Sequence, residues 1–475
     1  MFENVLGQPG ILQLTRDIRA GVLAPSLLFA GPPASGKGTA ALELARILSC
    51  ETPKAPWNCS CSACSHHRTL TNPDVVLLGS RLFSAEIAAA AAAFCREPEV
   101  VSVRLLFIRS VRKLLARFSP VLWEDDPPGN LKGYILALEE YLDELAITFP
   151  SDPVPVSEGG IAEGPEPLKG DGLNKIKTGI LTNALKLEAE GLGEAVPVSH
   201  IRRAAYWSRL APAGNHKILI IENADHMQES ARNSILKILE EPPATVTILL
   251  TCAHPEVLIP TIVSRLRPYR FYPRDAAVEG EVIRRVFRDT GGGEKNNVPG
   301  SGDRGMITSY LDSFLPVPMG KLYPLAAFFT ASLAASAVIV LRKKGVPEIP
   351  RELVVLGKFT APIAEQGGLG RPVTDIKTLV SQILEGAQNF EIPELFSRFL
   401  GQLLFLLSES FKGEISLPGE IFYRDIWKSR IREAETAAGI FHQNAALTLE
   451  RLFTELKREM TGFYPETLSG DAGGR

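Results

Sequence analysis

The chain has little surplus charge for its length, and this scarcity excludes one class of function. Its 475 residues carry 51 Lys and Arg against 54 Asp and Glu, a formal net charge of −3. A bulk polycation that coats nucleic acid is therefore excluded, and any contact with DNA is expected to be local or to come through partner chains. The N-terminal MFENVLGQPG lacks a charged segment followed by an apolar core, so no secretory signal is predicted.

Cysteine is rare, but four of the six cysteines lie close together, at Cys50, Cys59, Cys61 and Cys64. Four thiolates at this spacing can hold Zn²⁺ tetrahedrally without any catalytic role. The alternative is four unrelated buried thiols, and a nearby histidine, His66 or His67, could replace one thiolate. We interpret the group as a structural zinc site rather than a disulfide framework.

Long apolar runs are also scarce, and the one exception is YPLAAFFTASLAASAVIVL at Tyr323–Leu341, which a basic segment follows. Its length and basic flank suit a membrane span. Its Ser, Thr, Pro and many Ala residues suit a buried helix of an all-α domain equally well. We favour the buried helix and expect no membrane association.

A phosphate-binding loop is predicted near the N-terminus. The short apolar strand Ser26–Ala30 leads into GPPASGKGT at Gly31–Thr39 and then into a helix. In this strand–loop–helix setting, backbone N–H groups, Lys37 and the helix N-terminus can surround phosphate oxygens. The Ser or Thr that usually follows the lysine and helps to hold Mg²⁺ is here Gly38, with Thr39 one place later.

A second strand ends in a carboxylate. The run KILII at 217–221 is followed by Glu222 and then by a helix that ends at Pro242–Pro243. Further buried strands are predicted at 74–78 and 246–251. Ligands bind at the carboxyl edge of such a parallel sheet, which makes Glu222 a candidate site residue.

The remaining chain is predicted to be mainly helical. Residues 80–195 contain an Ala-rich helix, a basic amphipathic segment (104–117) and a Pro- and Gly-rich linker, FPSDPVPVSEGGIAEGPEPLKGDG. The basic residues of 104–117 are interpreted as a solvated helix face rather than a DNA contact. GGGEKNNVPGSGDRG is predicted to be a flexible break, and helical periodicity dominates from residue 306 onward.

Together these motifs resemble the clamp-loader branch of the AAA+ ATPases, most closely its family of bacterial DNA polymerase III delta-prime subunits. The resemblance rests on GQPGILQLTRDI, the thiol group after the phosphate-loop helix, NSILKILEEPP, LIPTIVSRL and HQNAALTLERLFTEL. It implies a RecA-like α/β AAA+ domain with a parallel sheet, a small helical lid and a C-terminal all-α collar domain. The implied division is a core at 1–79 and 196–272 with a zinc module at 50–64, a partly disordered insertion at 80–195, a lid and linker at 273–305, and a collar at 306–475.

The predicted function depends on where this chain departs from the family pattern. Hydrolysing members have Asp-Glu after the strand, whereas this chain has Glu222 and Asn223, and Asn cannot polarise water as a carboxylate does. The family's trans-acting arginine is retained as Arg265. The resemblance therefore implies a ring member with little or no ATPase activity of its own that donates Arg265 to a neighbour.

The implied ligands and partners follow from the same resemblance. ATP with Mg²⁺ would be bound weakly or not at all, by Gly31, Gly36, Lys37, Gly38, Thr39 and Glu222. Partners would be gamma/tau and delta subunits in a heteropentamer, a sliding clamp, and primer–template DNA contacted through the complex, all in the cytoplasm. The alternatives are a gamma/tau-like subunit that hydrolyses ATP itself and a small-molecule kinase, which the Gly-Lys-Gly-Thr order suggests.

Overall fold

The computed structural model describes residues 1–123, 129–148, 171–192, 196–289, 306–315, 319–388, 393–411, 420–439 and 444–462. The predicted flexible break at 291–305, and all but the last two residues of the predicted linker, lie outside these ranges. The chain divides into two compact units, essentially residues 1–315 and 316–475. The finer division into core, insertion, lid and collar stays a prediction.

A parallel five-stranded sheet organises the first unit. The strands are β1 (Ser26–Ala30), β2 (Val75–Gly79), β3 (Lys217–Glu222), β4 (Val246–Cys252) and β5 (Arg267–Arg270), in the order β2-β3-β4-β1-β5. The predicted strands are confirmed with bounds within one residue. The register pairs Gly79 with Glu222 and Ala30 with Cys252, so the carboxyl ends of four strands meet at one edge.

Helices cover both faces of this sheet. The helices of the first unit are α1 (Pro9–Arg19), α2 (Lys37–Ser49), α3 (Ser62–Thr69), α4 (Ser84–Arg96), α5 (Val101–Leu115), α6 (Gly129–Thr148), α7 (Asp171–Gly191), α8 (Val198–Arg209), α9 (Glu229–Glu240), α10 (Pro260–Val263), α11 (Ala276–Phe287) and α12 (Met306–Asp312). Alternate strand residues point to opposite faces: Leu27 and Ile220 pack toward α1 and α2, while Leu28 and Ile221 pack toward α8 and α9. This double burial explains the nearly continuous apolar strands.

The described part of residues 80–195 forms a helical layer with its own core. Phe83, Phe94, Phe107 and Leu138 are buried there together with apolar residues of α11 and α12. This layer corrects the interpretation of the basic segment. Arg104 and Arg117 are buried, and the other basic residues of the segment, Arg109, Arg112 and Lys113, are half-buried rather than solvated.

The second unit is all helical over its described residues, as predicted. Its helices are α13 (Met319–Lys343), α14 (Arg351–Gln366), α15 (Ile376–Gly386), α16 (Pro393–Ser410), α17 (Glu420–Gly439) and α18 (Ala445–Gly462). Helix α13 is long and apolar enough to cross a membrane, but most of its apolar window is buried inside this unit. Phe329 of α13 makes edge contacts with the rings of Phe399 and Phe453. A core helix therefore accounts for the long apolar run.

Candidate functional site

The predicted phosphate loop lies between β1 and α2, at the carboxyl edge of the sheet. Gly36 adopts a left-handed backbone conformation, with φ of 96°, which favours glycine over residues with a side chain. Lys37 is the first residue of α2, and its Nζ donates hydrogen bonds to the carbonyl oxygens of Gly31 at 2.5 Å and Pro32 at 2.6 Å. Burial lowers the pKa of Lys37 to about 8. The strand, loop and helix thus form the arrangement that the sequence predicted.

Glu222, at the end of β3, accepts hydrogen bonds from two arginines. Nη1 of Arg81 lies 3.0 Å from its Oε1, and Nη2 of Arg117 lies 2.5 Å from its Oε2. The Glu222 and Arg117 side chains are nearly fully buried, whereas Arg81 is one-third exposed. Burial alone would raise the pKa of Glu222, but the two guanidinium groups hold it below its usual value. Both carboxylate oxygens are therefore already engaged by cations of the chain itself.

A second carboxylate extends this charged group. Glu86 on α4 pairs with Nη2 of Arg81 at 2.7 Å and with Nζ of Lys113. We call the five residues Arg81, Glu86, Lys113, Arg117 and Glu222 the Glu222 cluster. Three cations and two carboxylates give it one net positive charge, at the edge of the sheet that carries the phosphate loop.

The residues around Glu222 do not fit a Mg²⁺ ion of the kind that P-loop proteins use. A hydroxyl after the loop lysine normally helps to ligate the metal, but position 38 is glycine and Thr39 is exposed. A Cβ atom built on Gly38 would lie 2.8 Å from Nη1 of Arg81 and 2.8 Å from Oε1 of Glu222. The guanidinium of Arg81 therefore lies against the first turn of α2, where the metal ligands would have to converge.

Asn223, at the second place of the catalytic pair, and Asp225, two residues later, are placed differently from each other. Asn223 directly follows β3 in a left-handed conformation, and its N–H donates to Oγ1 of Thr251 at 3.3 Å. Asp225 is buried, and its Oδ2 accepts hydrogen bonds from the backbone N–H groups of Ala253 and His254, each at 3.1 Å. Asp225 thus fixes the segment after β4.

Arg265 lies on the surface just after α10 and is held by its own chain. Its Nη2 donates to Oε1 of Glu240, the last residue of α9, at 2.7 Å, and its Nη1 donates to the carbonyl of Thr261 at 2.7 Å. The Arg265 side chain is 33% exposed and that of Glu240 is 48% exposed. The arginine is therefore held by an ion pair that is itself partly open to solvent.

The four predicted zinc ligands come together. Their Sγ atoms all lie within 4.8 Å of one another, with Cys50 at 3.7 Å from Cys59 and 4.0 Å from Cys61. Sulfur atoms bound tetrahedrally at about 2.3 Å from zinc would be about 3.8 Å apart, so the four thiols fit this ion. Arg46 on α2 donates to Sγ of Cys64 at 3.2 Å. Contacts of this kind orient a ligand from outside the metal shell.

The alternative histidine ligands are not part of this group. Nε2 of His67 lies 3.0 Å from the side-chain amide nitrogen of Asn72, and burial lowers the pKa of His67 to about 4. The geometry therefore favours a set of four thiolates over one that includes a histidine.

Sequence reasoning missed Arg81 entirely and assigned Arg117 to a solvated face. Both arginines reach Glu222 from far along the chain, 141 and 105 residues away. The sequence offers only a general signal: basic residues lie in an otherwise apolar segment, and no local pattern shows which of them reaches Glu222. A buried carboxylate needs a cationic partner, and that segment could supply one.

The chain is similar in sequence to subunits of DNA polymerase III. Residues 8–119 and 171–275 match the sequence model of the family described as DNA polymerase III, delta subunit. Over 78 residues the chain is 36% identical to DNA polymerase III subunit delta' of Bacillus subtilis, covering 16% of this chain and 24% of the relative. Over 80 residues it is 35% identical to the delta' subunit of Pseudomonas aeruginosa, covering 17% and 24%.

Two further similarities extend the comparison. The DNA polymerase III subunit gamma/tau of Mycobacterium bovis is 27% identical over 89 residues, covering 19% of this chain and 15% of the relative. The crystal structure of a DNA polymerase III gamma subunit-related protein from Thermotoga maritima aligns over 56% of this chain and 81% of its own, at 19% identity and a TM-score of 0.28. The matches to the delta' relatives span about a quarter of the length of those proteins. The similarity to DNA polymerase III subunits is therefore carried by residues 8–119 and 171–275, which make up less than half of the chain.

Proposed function

We propose that the chain is a largely non-hydrolysing, delta-prime-like subunit of a DNA polymerase III clamp loader. In this role it donates Arg265 to the ATP site of a neighbouring subunit and helps the ring to load a sliding clamp onto primed DNA. The observation that carries the proposal is the state of Glu222, whose two oxygens are both engaged by arginines. The finer assignment to delta-prime rests on this chemistry rather than on sequence identity.

Hydrolysis needs a residue that orients the attacking water, which is a carboxylate in the family pattern that this chain resembles, together with stabilisation of the charge on the phosphoryl group. At the corresponding place this chain has Asn223, which cannot accept a proton as a carboxylate does. Gly38 supplies no hydroxyl, and the Glu222 carboxylate is committed to Arg81 and Arg117. Three separate departures therefore act against turnover in this chain's own loop.

Arg265 supports the second half of the proposal. An arginine finger must be exposed, preorganised and free to leave its resting partner when phosphate arrives. The ion pair of Arg265 with Glu240 is partly exposed, and such pairs contribute only about 0–1 kcal/mol. A phosphate oxyanion from a neighbour can replace Glu240 at little cost.

The remaining features are given roles by the same proposal. The group of four thiols binds a structural zinc ion, and the helical second unit serves as the collar through which subunits assemble. Gamma/tau and delta subunits complete a heteropentamer, which acts in the cytoplasm on a sliding clamp and primer–template DNA. The chain itself is an accessory part of the polymerase holoenzyme.

Steady-state ATP hydrolysis by the purified chain distinguishes this proposal from a gamma/tau-like ATPase. With saturating Mg-ATP, with and without primed DNA, we expect no turnover above background. Turnover on the order of one per second would favour the ATPase instead. A Lys37→Ala variant serves as the matched control, because activity that survives it comes from a contaminant and not from this loop.

A further inference from the structure

Arg81 lies close to the start of the loop helix α2. Its Nη1 is 3.0 Å from Oε1 of Glu222, and it would be 2.8 Å from a Cβ atom on Gly38. One guanidinium group therefore lies between the strand end and the first turn of the loop helix. In P-loop proteins a Mg²⁺ ion occupies the corresponding place, held by the residue after the lysine and by the strand-end carboxylate.

Arg81 is not alone among the cations near the loop. Arg274 donates from Nη1 to the carbonyl of Ala34 at 2.5 Å and from Nε to the carbonyl of Leu6 at 2.9 Å, so a further cation lies against the loop. Lys37, Arg81 and Arg274 thus approach the loop from three different elements. Guanidinium groups present planar pairs of N–H donors that match phosphate oxygens and stay charged at any physiological pH.

From these contacts we propose that the loop of residues 31–37 binds the phosphates of a nucleoside di- or triphosphate without a divalent cation. Arg81 supplies the positive charge that Mg²⁺ supplies in related loops. The inference rests on the proposed function only in treating this loop as a nucleotide loop, and it involves neither Arg265 nor the ring.

Calorimetric titration of the full chain with ATP tests this, once in EDTA and once in excess Mg²⁺. We expect the two dissociation constants to agree within about threefold, a small fraction of the range that affinities span. Binding that requires Mg²⁺ would overturn the inference, and so would the absence of ATP binding in both buffers. Neither result bears on partner ATP hydrolysis, so the proposed function stands or falls separately.

Variants of Arg81 test whether this residue supplies the positive charge at the loop. Arg81→Ala should weaken binding in EDTA by about tenfold or more and should make binding respond to Mg²⁺, because Oε1 of Glu222 is then released. Arg81→Lys keeps the charge and should stay indifferent to Mg²⁺, which separates the effect from misfolding. Arg284→Ala, at an exposed arginine of α11, is the matched control. Unchanged binding of Arg81→Ala in EDTA would contradict the role given to Arg81.

Discussion

Glu222 and Arg117 form an ion pair between residues 105 positions apart, with Nη2 and Oε2 at 2.5 Å and both side chains almost excluded from solvent. Burial of an arginine in this way is costly unless a carboxylate compensates for it. The pair therefore connects the helical layer to the end of β3, and its removal should lower the free energy of unfolding.

Glu222→Gln should lower the free energy of unfolding by about 3–5 kcal/mol, because Arg117 is left buried without an opposite charge. Urea unfolding followed by circular dichroism measures this. Glu240→Gln makes the same chemical change at the exposed pair with Arg265 and should cost less than about 1 kcal/mol. Equal effects of the two variants would show that the Glu222 pair is not buried as described.

The stability supplied by Glu222 should depend on pH with a defined sign. Its pKa in the folded chain lies below the ordinary value of 4.5. The contribution is therefore complete above that ordinary value and is lost as the pH falls through the lower folded-state pKa. We expect the stability difference between the parent chain and Glu222→Gln to be constant near neutral pH and to shrink in acid. A difference that grows in acid would reverse the assigned sign.

The group of four thiols, at Cys50, Cys59, Cys61 and Cys64, should hold one zinc ion per chain. Cys64→Ser should lower zinc content, measured by atomic emission, and should reduce the melting temperature by several degrees, since about 1 kcal/mol corresponds to about 2–4 °C in a domain of this size. Cys95→Ser changes a half-buried cysteine outside the group and should leave both quantities unchanged. Full zinc content in the Cys64 variant would rule out the four-thiolate site.

Helix α13 should behave as a core helix. Phe329→Ala removes a fully buried ring that contacts two other rings, and it should destabilise the chain by about 3–5 kcal/mol. Ile339→Ala, on the same helix at a position 42% exposed, should cost far less. Similar losses at the two positions, measured by denaturant unfolding, would contradict the packing described for this helix.

The sheet and the phosphate loop could be predicted because their signals are local. A short apolar run, a Gly-rich turn and a helix follow one another within a few residues. The strand before Glu222 is likewise a short apolar run that a helix follows. The bounds of helix α14 are harder to predict, since Gly357 and Pro362 interrupt its apolar pattern although both lie within the helix.

The Glu222 cluster could not be predicted, because its members meet only after the helices of 80–195 pack beside the sheet edge. Arginine is usually exposed to solvent, so only tertiary contacts explain the burial of Arg117. The grouping of the four cysteines was predictable for the opposite reason, since a cluster of residues that are close in sequence depends little on distant packing.

The most direct test of the central claim is ATP hydrolysis by one neighbouring subunit in a reconstituted ring whose other ATPase subunits carry inactivated phosphate loops. With Arg265→Ala in this chain, hydrolysis should fall by about 10³-fold, the scale of a lost arginine finger, while gel filtration shows that the ring still assembles. Arg267→Ala, at the exposed arginine two positions later, is the control and should leave the rate unchanged. Undiminished hydrolysis in an intact Arg265→Ala ring would contradict the account.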